Sequence, residues 1–290
     1  MNVYIKYLVF LLICILSRVI SAIYYIEDPD SLRYALCVFD QANLSTLPSH
    51  FPGSPLFCFV AKILYFLLRS FSLVFSILGG ISVFVIIISL LKLLKVPLLS
   101  LEGALVAIFV FFNPLIWLTS NKYMPDLAGL AVMLAAFSYL VPDSYKHRDQ
   151  YKGWILTGLL AGIHLPYLPF LIIPGVYSLK VNKKYIHSLT FLFLGILFWL
   201  VPLLFQLGWD NFLNAAQSQT LGNFYNSNGT VFAENDFWQR AITLFQRIWA
   251  DGLGGYWADR HPVLWLTSVG TIACGFFGFL IILSFDYSKN

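Results

Sequence analysis

Glu27, Asp28 and Asp30 place three carboxylates within four positions, directly after an apolar run that begins at Val3. Ionisable groups beside a segment at membrane depth are costly unless they are solvated or used. A carboxylate held there can take the proton of a hydroxyl and so activate it for attack on an anomeric carbon. Asp30 is the candidate for that role. It also precedes Leu32 to Phe39, whose apolar positions recur at helical spacing, so it stands where an N-cap belongs. Asp126 follows Pro125 at the start of another apolar run and suits either a cap or a site wall. His164, in Gly162-Ile163-His164-Leu165-Pro166, can meet a lipid phosphate or fill a structural place. His50 opens the stiff turn Phe51-Pro52-Gly53-Ser54-Pro55. Arg33, Lys122, Arg240 and Arg247 are candidate cationic partners for a phosphate.

Other chemistries lack their signatures. No HExxH, P-loop, dinucleotide-binding glycine fingerprint or GxSxG occurs in the chain. Cys14, Cys37, Cys58 and Cys274 show no CxxC spacing. Cys37 and Cys58 pair if their loop meets an oxidising compartment; two buried free thiols are the reading that residue types favour. The net charge of +4 is spread out, with no basic block beyond Lys180 to Lys184, so nucleic acid is not an expected partner.

The elements that must position these residues are apolar helices. Hydrophobic residues make up 59% of the chain and charged residues 11%, against about half and a quarter in soluble domains. Eight windows are long or apolar enough to read as spans: 3–24, 71–94, 100–118, 125–141, 153–165, 167–180, 185–207 and 262–285. The windows are continuous rather than alternating, which argues against a β-barrel. The fold class is therefore all-α, a polytopic transmembrane bundle of about eight spans with interfacial helices in the first outer loop. The segment 55–69 is apolar but short and carries Lys62 and Arg69, so it reads as interfacial. That choice puts ten basic and three acidic residues inside, and seven basic and ten acidic outside, as the positive-inside rule requires. Both termini are then cytoplasmic, and loops 25–70 and 208–261 lie on the outer face. The second loop carries an amphipathic pattern around 237–249 and, like the first, a glycosylation sequon, Asn228-Gly229-Thr230 beside Asn43-Leu44-Ser45. The spans are nearly free of charge, Arg18 and Glu102 lying near ends.

The ordered set Asp30-Ser31-Leu32-Arg33-Tyr34-Ala35, His50 to Pro55, Asn113-Pro114, Pro125-Asp126 and His164 resembles the GT-C superfamily of membrane glycosyltransferases. The resemblance is strongest to the branch of protein O-mannosyltransferases and aminoarabinose transferases, and covers most of residues 1–261, leaving 262–290 as an added span with a short cytoplasmic tail. It implies a transferase that moves a sugar from a polyprenyl-phosphate carrier to a hydroxyl of a protein, lipid or glycan at the outer or lumenal face. By the same resemblance Asp30 is the catalytic base, Asp126 lines the site, and His50, His164 and Arg33 contact the donor. Ser31 stands where relatives carry a second acidic residue, so no metal is expected as a requirement, although a divalent cation between Asp30 and Asp126 fits the pattern. The alternatives are a noncatalytic carrier-binding subunit and a transporter. A transporter commonly shows charge at the midplane and internal repeats, and this sequence shows neither.

Overall fold

The computed structural model describes residues 3–39, 53–141, 150–225, 236–252, 255–257, 265, 268–270 and 272–273. The fold is all-helical, with no strand among these residues. The helices are α1 (Val3–Ile20), α2 (Pro29–Leu36), α3 (Pro55–Leu68), α4 (Phe71–Leu94), α5 (Leu101–Phe111), α6 (Pro114–Asn121), α7 (Asp126–Leu140) and α8 (Gln150–Ile163). A 3-10 segment, Leu165–Leu171, leads to α9 (Ile172–Asn182), α10 (Tyr185–Leu207), α11 (Trp209–Tyr225) and α12 (Phe237–Gln246). The chain divides into two compact units at Gln219/Thr220. The second contains α12, which opens on Asp236 accepting the Trp238 amide at 2.9 Å and runs into a π-turn, Arg247–Gly252.

In the first unit α4 packs between α1 and α7, α7 packs on α8, and α8 on α10. Without a strong hydrophobic drive between apolar helices, close approach depends on small residues. A methyl at Gly80 would meet the α1 backbone at Ile15, and one at Gly79 would overlap the Ser120 carbonyl. Gly158 and Gly162 form a GxxxG stripe on α8. Gly158 faces Gly195 of α10, and Gly162 lies under the Trp199 ring. The Trp199 indole then donates to the Gly158 carbonyl at 3.0 Å. A buried polar donor is thus satisfied across the helix pair that the glycines bring together.

Among the described residues two helices, α4 and α10, are long and apolar enough to cross a membrane, and up to three spans result if the bent pair α5 and α6 counts as one; most of the expected window 262–285 lies outside the described residues. The sequence expectation was eight. Windows 125–141, 153–165 and 167–180 yield helices of 15, 14 and 11 residues, short of the roughly 20 a straight span needs. Window 100–118 is broken. Asn113 caps α6, its Oδ1 accepting from the Leu115 and Ile116 amides at 3.0 and 3.1 Å, and Pro114 has no amide to give. The halves bend by 56°. The Phe111 carbonyl loses the Leu115 donor in this break, and Arg18 of α1 replaces it, its Nη2 donating at 2.9 Å. Arg18 is fully buried, its guanidinium 3.7 Å from the Trp117 ring centre and 4.8 Å from that of Phe111. The arginine that looks like an interruption near a span end is the cap of a broken helix.

Candidate functional site

α2 begins the site. Pro29 occupies its first turn, where a missing amide costs nothing, and Asp28 in extended conformation caps it, Oδ1 accepting the Ser31 amide at 2.7 Å. The cap is therefore Asp28, not Asp30 as the sequence spacing indicates. Asp30 lies in the first helical turn, partly exposed, with Oδ1 accepting from Arg33 Nη1 at 2.8 Å. Such exposed i, i+3 pairs contribute about 0.2–1 kcal/mol, so the Asp30 carboxylate exchanges freely with solvent. Arg33 is placed as the partner of Asp30, and the structure gives it no contact with the Asp126 region.

The other carboxylate oxygen of Asp28 meets Lys122 Nζ at 2.6 Å. Burial alone would raise the Asp28 carboxyl, but hydrogen bonds from Lys122 and Ser31 overcome it and hold the group below its ordinary value. Hydrogen bonding to Asp28 likewise raises the Lys122 ammonium against the opposing effect of burial. A depressed carboxyl adds stability above its unfolded pKa of about 3.9, lost as pH falls through the folded value. A raised ammonium adds stability below its unfolded pKa of about 10.4, lost as pH rises through the folded value. The difference in unfolding midpoint between wild type and Lys122→Met is accordingly expected to be constant from about pH 5 to about pH 9 and to shrink below about pH 4 and above about pH 10.5. A difference that is flat across the whole range would remove the ion pair from the account.

The turn that carries Lys122 is pinned to the end of α1. Asn121 Nδ2 donates to the Ser21 carbonyl and hydroxyl, both at 3.0 Å, while Ser76 Oγ donates to Asn121 Oδ1 at 3.1 Å. Tyr123 Oη donates to the Ile23 carbonyl at 2.7 Å, and its ring stacks on Phe75 at 4.6 Å. Ser21 and Ile23 each lie 100 residues from their partners in sequence.

On the far side of the turn Asp126 opens α7 and sits 3.6 Å from His164 Nε2. The His164 ring lies 4.9 Å from that of Tyr167. Gly129 admits both, since a methyl there would strike the His164 Cβ and the Tyr167 ring. A cavity of about 310 Å³ lies here, its lining including Leu115, Ile116 and Leu130 together with Thr119, Lys122, Asp126 and Tyr167. Asp126 and His164 thus come together, whereas Asp30 does not line this cavity and does not share it with Asp126. Among the described residues no group of three or more His, Cys, Asp or Glu could hold a metal ion. His50 lies outside the described residues, as do both sequons.

Cys37 and Cys58 form a disulfide that ties the end of α2 to α3, in place of the two free thiols expected; Cys14 is free and buried. The edge-on packing of Tyr34 against Phe57 lies beside it. A crosslink closing a loop of this size, at a sequence separation of 21, stabilises by about 3 kcal/mol. Reduction is therefore expected to lower the thermal midpoint of wild type and to leave Cys37→Ser unchanged, with equal shifts in both proteins counting against the bond. The Lys122 partner, the Arg18 cap and the GxxxG stripe are not among the features expected from the sequence. Of these the last was open to a motif search at Gly158 and Gly162.

Compared with family models, with curated proteins and with solved structures, the chain matches none.

Proposed function

We propose that this chain is a multi-pass membrane glycosyltransferase that moves a sugar from a polyprenyl-phosphate carrier to an acceptor hydroxyl of a protein, lipid or glycan at the outer or lumenal face. The finer topology belongs to the same proposal: about eight spans, shorter helices completing the crossing in tilted or paired form, and both termini cytoplasmic. What supports the reading is a cavity lined by both apolar and charged side chains. Its leucine and isoleucine residues suit an isoprenoid chain, and Lys122 offers the only lysine or arginine among its lining residues. Asp28 and the acidic start of α2 are tied to that same lysine.

In this reading the acceptor oxygen attacks the anomeric carbon while its proton passes to the Asp30 carboxylate. The bond from the anomeric carbon to the phosphate oxygen breaks, and its electron pair leaves with the polyprenyl phosphate, whose charge Lys122 offsets. Asp28 is unsuited to be the base because its hydrogen bonds hold it ionised at low pH. A second reading makes Asp126 the base, favoured by its place on the cavity wall and by His164 beside it. No metal is required by either, and a divalent cation near Asp126 would assist the leaving phosphate.

A single displacement inverts the anomeric centre. Purified protein in lipid vesicles, supplied with a panel of polyprenyl-phosphate sugars and a soluble alcohol acceptor, is expected to give a glycoside of inverted configuration by NMR. Retention would overturn the one-base mechanism, and no glycoside from any donor would overturn the enzyme reading.

A further inference from the structure

A second groove, of about 490 Å³, lies between α3 and α10 and shares no lining residue with the Lys122 cavity. Its wall includes Leu56, Phe59, Phe198 and Trp199, and its polar side chains are Lys62 and Gln206. Among the described residues no carboxylate pairs with Lys62. The Trp199 indole is turned to the Gly158 carbonyl, so the ring offers the groove an apolar surface. Pro202 lines the groove as well. It has no amide for the Phe198 carbonyl one turn earlier, which weakens the helix ladder at that point.

The surroundings identify what fills such a groove. α10 is one of two helices among the described residues that are apolar and long enough to span, yet only 22% of its apolar window is buried, against 56% for α4. Phe193, Phe198 and Phe205 are 56%, 62% and 87% exposed. On α3, Phe59, Ile63, Phe66 and Leu67 are exposed too. A cleft between two such faces opens onto hydrocarbon, where bilayer lipid is present in vast excess over any protein partner. Its volume falls within the range of about 300–1,000 Å³ typical of ligand sites. A lysine bordering an apolar cleft extends its ammonium toward the headgroup level and attracts anionic lipid.

We infer that the groove between α3 and α10 is a binding site for an anionic phospholipid, with one acyl chain against Phe59, Phe198 and Trp199 and the phosphate at Lys62. The inference rests on membrane insertion and not on glycosyl transfer. Bound there, the lipid would couple the headgroup composition of the bilayer to α3, and through the Cys37 to Cys58 link to the acidic helix α2.

The test uses the full chain in phosphatidylcholine vesicles carrying a minor fraction of lipid brominated in mid-chain, either phosphatidylglycerol or phosphatidylcholine. Trp199 fluorescence is taken as wild type minus Trp199→Phe. Quenching of that signal is expected to reflect about fivefold enrichment of the brominated anionic lipid over the zwitterionic one, as one lysine near the surface provides. Lys62→Gln should remove the preference, and Gln206→Phe, which fills the groove from an exposed position without adding an indole, should reduce quenching by both lipids. Equal quenching by the two lipids in wild type, or a preference that survives Lys62→Gln, would overturn the site while leaving membrane insertion standing. No quenching by either would overturn the site and membrane insertion together, with glycosyl transfer still to be judged by its own assay.

Discussion

Asp30→Asn is expected to lower the proposed sugar transfer by about 10²–10⁴-fold, the range for loss of a general base, with little change in donor affinity. The expectation follows from how the neighbouring carboxylates are used. Asp28 is committed to the α2 cap and to Lys122, whereas Asp30 is held only by an exposed pair with Arg33. Removing a negative charge from an exposed first helical turn costs a few tenths of a kcal/mol, so folding survives and the loss reads on chemistry. Parallel rates for Asp126→Asn discriminate between the two candidate bases. A collapse confined to Asp126→Asn would move the base to the cavity wall beside His164.

Gly79→Val is expected to abolish the yield of folded protein. The ideal methyl position at Gly79 overlaps the backbone carbonyl of Ser120, an atom that no rotamer change can move. Ser120 sits one residue before Asn121, whose amide is tied to Ser21, and two before Lys122. Relieving the overlap requires α6 to part from α4, which breaks the Ser76 to Asn121 hydrogen bond and shifts the Lys122 turn. The cost exceeds the about 1–3 kcal/mol of ordinary overpacking, because backbone meets backbone. The measurement is the yield of monodisperse protein after detergent extraction, with Gly270→Val as the control, since among the described residues no atom lies within 4 Å of a methyl there. Yields for Gly79→Val equal to the control would contradict the packing described.

Much of the architecture is legible in local pattern. The windows 71–94 and 185–207 coincide with α4 and α10, because each is one unbroken apolar run. Ser70 caps the first, and a left-handed Lys95 ends it. The short segment at 55–69 is a helix as expected, α3, and 125–141 matches α7. Misreadings arise where a local signal was outweighed. Pro29 in the first turn of α2 marks Asp28 as the cap, and the helical spacing after Asp30 hides it. Asn113-Pro114 ends one helix and starts another, although the apolar window runs straight through both.

The rest of the site depends on contacts between distant residues. Lys122 with Asp28, Tyr123 with Ile23, and Arg18 with Phe111 are each joined across more than 90 positions of sequence. Nothing in the local pattern around Lys122 marks it as the partner of Asp28; the return of α6 to the end of α1 brings the two together. Cys37 and Cys58 are similar, since spacing alone allows a bond or two free thiols. The approach of α2 to α3, sealed by Tyr34 and Phe57, decides between them.

The central claim is that this chain releases a sugar from a polyprenyl-phosphate carrier. It is tested most directly by counting free polyprenyl phosphate formed from labelled donor, by mass spectrometry, in vesicles carrying matched amounts of wild type and Asp30→Asn. The account predicts carrier release in step with glycoside formation by wild type, and at least about 100-fold less from the variant. Folded wild-type protein that leaves every donor in the panel intact would contradict it.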